Sequence, residues 1–147
     1  MFHLLRRGLF SMAIVACAFT LHPATSVAQS LAGPNKVVFQ VSDADPQKWN
    51  LALNNAKNVQ DDLGGNDAVD LEIVVYGPGI GMLKADSPVA KRIADALKSG
   101  VKVVACENTM RAQHLVQADM LPTIGYVPAG VVELMKKQQQ GYAYIRP

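Results

Sequence analysis

Cys106 closes the run Val101-Lys102-Val103-Val104-Ala105-Cys106, and Glu107-Asn108-Thr109-Met110-Arg111 follows it directly. The run is β-branched and nearly all apolar, the composition of a strand covered on both faces. Asn108 and Thr109 are natural N-caps for a helix after it. A thiol just ahead of a helix N-terminus meets unpaired N–H groups and the positive end of the helix dipole. That setting favours the thiolate, which is the nucleophile. An inert reading stands beside it. Cysteine is among the most buried residue types and often ends a core strand as a small hydrophobe. Glu107 would also raise the thiol's pKa if its carboxylate faced the sulfur.

A second candidate is Gly77-Pro78-Gly79-Ile80-Gly81, placed after the apolar stretch Val69 to Tyr76. Glycines after a strand let the backbone approach a ligand, or line up N–H groups for an anion. Gly77 and Gly79 are the candidate binding positions. The spacing is not the dinucleotide fingerprint, and Pro78 removes one donor. As a turn, the loop needs no ligand to explain it. His114 lies eight residues beyond Cys106. That places it about two helical turns away, out of the reach that a thiol–imidazole pair needs. No G-x-S-x-G elbow is present, which argues against a serine hydrolase.

The first 28 residues read as an export signal. Arg6 and Arg7 form a basic start, Leu9 to Thr20 is an apolar run, and Ser26-Val27-Ala28 is a small-x-small cleavage site. The apolar run is short for a membrane span, and no later run is long enough. Cleavage after Ala28 would release a periplasmic protein with no membrane span. Ile14-Val15-Ala16-Cys17 loosely fits a lipoprotein box, so a lipid-anchored form at Cys17 is the minor alternative.

Cleavage also alters the chemistry on offer. The formal charge of +2 comes from Arg6 and Arg7, so the remaining domain is balanced. A balanced domain without a basic cluster offers nucleic acid no electrostatic footprint. Cys106 becomes the lone thiol and His114 the lone imidazole. An internal disulfide and a His/Cys metal cluster are thereby excluded, since structural metal sites need three or four ligands. A lone thiol in an exported protein must be buried, shared with another molecule, or used.

Residues 29–147 are enough for one domain with its own core. Lys36 to Val41 reads as the first strand. Asp45-Pro46 caps a helix whose face carries Trp49, Ala52, Leu53, Ala56, Val59 and Leu63, with Trp49 as a core anchor. Gly64-Gly65 ends it. Val69 to Tyr76 is the second strand. Ser87-Pro88 opens a second long helix that Gly100 closes. After the Val101 strand and its short helix come a strand over Thr123 to Val127 and a helix from about Val131 to Gln140. A last short strand, Tyr142 to Ile145, exposes two tyrosines on one face. Alternation of this kind means βαβ units with right-handed crossovers. The fold expected is a three-layer α/β/α domain with a mostly parallel sheet of about five strands. Ligands in such sheets bind beyond the carboxyl ends of the strands, where both Cys106 and the Gly77 to Gly81 loop lie.

Three features, in this order and spacing, resemble the DsrE/DsrF-like family, which includes the TusD-type sulfur carriers. They are Val37-Val38-Phe39, the Val-Val-Tyr-Gly end of the second strand, and Val-Val-Ala-Cys106-Glu-Asn-Thr-Met. Tyr126 to Leu134 and Gly141-Tyr142-Ala143-Tyr144-Ile145 look like the family's exported branch. The resemblance spans Lys36 to Pro147. It implies a domain that assembles into homo- or hetero-oligomers and needs no cofactor. It also implies a cysteine at the position of Cys106 that accepts sulfur as a persulfide and passes it on. Asn108, at the helix start, and Arg111, one turn into it, would then help to hold an anionic sulfur species. The partners expected are other copies of the chain and a sulfur donor or acceptor protein. The rival reading is a non-catalytic small-molecule-binding or assembly module in which Cys106 is structural. Whether the protein is an enzyme stays open.

Overall fold

A computed structural model of the protein describes residues 35–147. The export signal, its cleavage site after Ala28, and Cys17 lie outside the described residues. Five strands carry the domain: β1 Asn35–Val41, β2 Val69–Val75, β3 Lys102–Cys106, β4 Gly125–Val127 and β5 Ala143–Ile145. Four helices connect them: α1 Pro46–Leu63, α2 Ala90–Lys98, α3 Glu107–Ala112 and α4 Gly130–Gln139. The strand order is β4-β3-β2-β1-β5, and every pairing is parallel. The sheet expected to be mostly parallel is thus wholly so. Helices on both of its faces make the domain a three-layer α/β/α structure.

Side chains alternate between the faces of a strand. Val37, Phe39 and Val41 of β1, with Leu71, Ile73 and Val75 of β2, turn to the larger core. Trp49, Ala52, Leu53 and Ala56 of α1, Ile93 of α2 and Met110 of α3 close it. Trp49 is 6 % exposed, and its indole N–H donates to the Asp43 carbonyl at 2.7 Å. The expected core anchor is therefore also hydrogen-bonded. Val38, Val74 and Val104 turn the other way, onto Leu134 of α4 and Tyr142. That second face is covered by the single short helix α4, and Glu72 sits within it.

Local signals explain most element ends. Asp45 caps α1 by accepting from the Gln47 amide at 2.8 Å, and Gly64 ends it at φ 99°. Four expectations need correction. The second long helix does not open at Ser87-Pro88: it starts at Ala90. Ser87 instead accepts from the Val89 amide and shapes a preceding turn. β4 is shorter than Thr123 to Val127, because Thr123 takes φ 68°, outside the extended region. α3 begins at Glu107, so Asn108 and Thr109 lie inside the helix and Cys106 itself takes the cap position. Tyr142, expected to be exposed, is buried. Its hydroxyl donates to Asp70 at 2.5 Å, and its ring lies under the ammonium of Lys137 at 4.9 Å.

Candidate functional site

Cys106 is the last residue of β3 and the N-cap of α3. Its sulfur accepts from the Thr109 amide at 3.5 Å, an acceptor role that serine or aspartate fills in most helices. The parallel register places Cys106 beside Val127 of β4. Three residues further on, α4 starts at Gly130, and Ala129 at its cap position supplies no side-chain hydrogen bond. The register thereby sets the start of α4 beside the Cys106 sulfur, where the Gly130 amide favours the thiolate. The Asn108 amide donates to the Pro128 carbonyl at 3.1 Å and ties the two helix starts together. The N-termini of α3 and α4 therefore converge on one thiol.

Thr109 completes the set. Its Oγ1 accepts from the Gly77 amide at 2.9 Å, and its hydroxyl favours the Cys106 thiolate. Burial would by itself push the Cys106 thiol up. The Thr109 hydroxyl and the amides of Gly130, Thr109 and Asn108 outweigh it and hold the thiol below its ordinary range. Cys106 is nevertheless only 4 % exposed. What the arrangement supplies is a buried thiol whose surroundings favour the anion.

The expected binding residues are distributed unequally around this centre. Gly77 serves it indirectly: its N–H orients Thr109, and its φ of 54° suits the left-handed region that glycine tolerates. Gly79 donates to Ser42 and Tyr76 carbonyls at 3.1 Å, so its amide is engaged within the fold. A Cβ there would sit 2.7 Å from the Val41 carbonyl oxygen, which explains the glycine by close backbone approach. Asn108 and Arg111 lie together on α3, the guanidinium donating to Asn108 Oδ1. His114 lies past the far end of α3, exposed, with φ 55°.

Sequence reading missed Gly130. A Cβ at Gly130 would meet the Tyr76 side chain at 3.0 to 3.2 Å, so only glycine lets the first turn of α4 lie this close to the sheet. The available signal was Pro128-Ala129-Gly130, a helix start without a capping side chain. Among the described residues no group of three or more His, Cys, Asp or Glu is placed to hold a metal ion. No described helix is long and apolar enough to cross a membrane.

Comparison with known proteins agrees with this architecture. No curated protein matches the chain. A solved protein of unknown function from Methanobacterium thermoautotrophicum is 33% identical, with a TM-score of 0.73 over 77% of this chain and 99% of that one. A second protein of unknown function, from Bacteroides thetaiotaomicron, shares the fold at 15% identity. Its TM-score is 0.63 over 77% of this chain and 95% of its own. The model of the DsrE/DsrF-like family matches residues 35–147, every strand and helix described above. On that match the chain belongs to the DsrE/DsrF-like family.

Proposed function

We propose that this protein is an exported sulfur-transfer or sulfur-binding protein that carries sulfur as a persulfide on Cys106. The family supports a sulfur-related role. The observation that carries the reading is the convergence of two helix starts and the Thr109 hydroxyl on a single thiol. In the step proposed, the Cys106 thiolate attacks the outer sulfur of a donor persulfide, R–S–SH. The donor's S–S bond breaks and a new one forms at Cys106. The donor leaves as the thiolate R–S⁻, and no net oxidation occurs. Return of the sulfur to an acceptor thiolate reverses these roles. Asn108 and Arg111 form the polar rim that would meet an anionic donor. Gly77 acts through Thr109, and Gly79 through the backbone packing that holds the loop in place.

Cys106's 4 % exposure favours a second reading, a small-molecule-binding or assembly module in which the cysteine is structural. Donor treatment followed by intact-mass measurement separates the two. The carrier gains about 32 mass units, removed by dithiothreitol, and Cys106→Ser gains none. If Cys106 stays unmodified until the protein is denatured, the second reading replaces the first. Export rests on the residue pattern alone. Protein purified from the periplasm should begin at Gln29, whereas a lipid-modified Cys17 terminus would overturn that reading.

A further inference from the structure

Glu72 and Lys137 form an ion pair where charge is costly. Lys137 Nζ lies 2.6 Å from Glu72 Oε2, and the two residues are 9 % and 4 % exposed. Glu72 sits in the middle of β2, on the face it shares with Asp70 and Val74. Lys137 is in the second half of α4. Glu72 Oε1 has no hydrogen-bond partner, so the pair is not a fully satisfied network. Burial accordingly pushes the Glu72 carboxyl up, although Lys137 opposes this. A buried pair of this kind is poor evidence for stability, since apolar residues of the same volume often serve as well. Its best-attested use is to specify one arrangement over others.

The arrangement at stake is that of α4. Among the described residues this is the helix that covers its face of the sheet, and Leu134 is its one buried apolar side chain. A single apolar contact leaves a short helix free to slide or roll. Lys137 lies seven residues from Gly130, two turns and about 10 Å along the axis. Gly130 packs against Tyr76, and the pairing of Cys106 with Val127 together with the Asn108 N–H to Pro128 carbonyl bond sets the start of α4 beside Cys106. One end of α4 is therefore held at Glu72 while the other serves Cys106.

We propose that Glu72, acting through Lys137, is a positioning residue for the sulfur site: the pair fixes α4 on the sheet so that the start of the helix stays beside Cys106. The inference rests on Cys106 being the working thiol. It adds a control point on a different strand and at the opposite end of α4. The other charged and titratable groups facing the pair are Glu133 on α4, at 3.7 Å from Lys137, Lys102 on β3, Asp70 on β2 and Tyr142 before β5.

The sign of one measurement separates positioning from simple electrostatics. Glu72→Gln removes a negative charge and leaves Lys137 uncompensated. By field alone, both changes favour the Cys106 thiolate and lower its midpoint. Loss of the Gly130 amide raises it. Titration of the full chain labelled with ¹³Cβ-cysteine follows Cys106 by NMR whether or not the thiol is reactive. The expected result is a midpoint about half a pH unit higher in Glu72→Gln, or about threefold less thiolate at neutral pH. The Gly130 amide proton should follow the Cys106 titration in the wild type and follow it less in the variant. Glu72→Asp keeps the charge but shortens the reach, so it should move the midpoint in the same direction. It also decides the matter if Glu72→Gln does not fold. A midpoint that falls or stays put in the variants overturns the positioning role. Wild-type protein that takes up no sulfur overturns the carrier reading and leaves this measurement intact.

Discussion

Thr109 Oγ1 accepts the Gly77 amide proton at 2.9 Å, and the Thr109 amide donates to the sulfur of Cys106 at 3.5 Å. The loop after β2 is thus joined to the thiol at the end of β3 through one residue, whose hydroxyl also favours the thiolate. Thr109→Val keeps the shape and removes the hydroxyl. The thiol midpoint should rise, and the rate of alkylation by iodoacetamide at neutral pH should fall severalfold. Stability should drop by about 1 kcal/mol, because the Gly77 amide loses its partner. Thr109→Ser should restore both quantities. An unchanged pH–rate profile in Thr109→Val would show that the hydroxyl does not act on the sulfur.

The depressed thiol also carries a stability signature. With its folded midpoint below the unfolded one, Cys106 is ionised in the native state over a range where the unfolded chain still holds the proton. The unfolded state then binds more protons, and stability from this group rises with pH. The window runs from the folded midpoint up to the ordinary thiol value of about 8.5. Denaturant unfolding from pH 6 to 9 should show that rise in the wild type and lose it in Cys106→Ser. A parallel pair of curves would contradict the depressed midpoint.

Gly79 tests the packing of the loop. Its Cβ position is 2.7 Å from the Val41 carbonyl oxygen and 3.0 Å from Ser42 Cα, both backbone atoms that cannot swing aside. Gly79→Ala should destabilise the fold by about 3 kcal/mol through overpacking. Gly65→Ala should cost less, as no atom lies within 4 Å of the added methyl and the cost is the backbone strain of φ 90° and ψ −166° alone, about 1 to 2 kcal/mol. Equal melting temperatures for the two variants would refute this ranking.

Assembly is the fourth expectation. Burial of Tyr142 removes it from the proposed contact surface, but Val131, Val132 and Met135 on α4 are 63%, 39% and 50% exposed. We expect a homo-oligomer, a dimer, trimer or hexamer, with this flank of α4 at its interface. Light scattering at micromolar concentration should give a multiple of the chain mass, reduced to one chain in Val131→Asp/Met135→Glu. A monomer in the wild type would refute it.

Much of this protein was legible before folding because its signals are local. The alternation of apolar runs with capped, amphipathic stretches implied a layered α/β domain. Asp45-Pro46 and Gly64-Gly65 bounded α1 because capping uses neighbours only. Errors fell where a distant contact outweighed a local preference. Tyr142 looks like surface in sequence, yet Asp70 and Lys137 bury it. Asn108 and Thr109 are good caps, yet the end of β3 carries the chain into helix at least two residues sooner, and sulfur takes the cap.

By itself the sequence determined that a lone thiol would stand where a buried strand meets a helix, and that glycines would follow a neighbouring strand. Strand periodicity and the strand-to-helix change are properties of adjacent residues, so they need no knowledge of the fold. Only the tertiary structure decided what surrounds that thiol. Gly130 is 24 residues from Cys106 in the chain, and Gly77 follows a different strand, β2. They act at one place because parallel pairing brings the carboxyl ends of β2, β3 and β4 together, and because Gly130 lets α4 lie against Tyr76. Such contacts depend on register and packing between segments far apart in the chain, which no local pattern encodes.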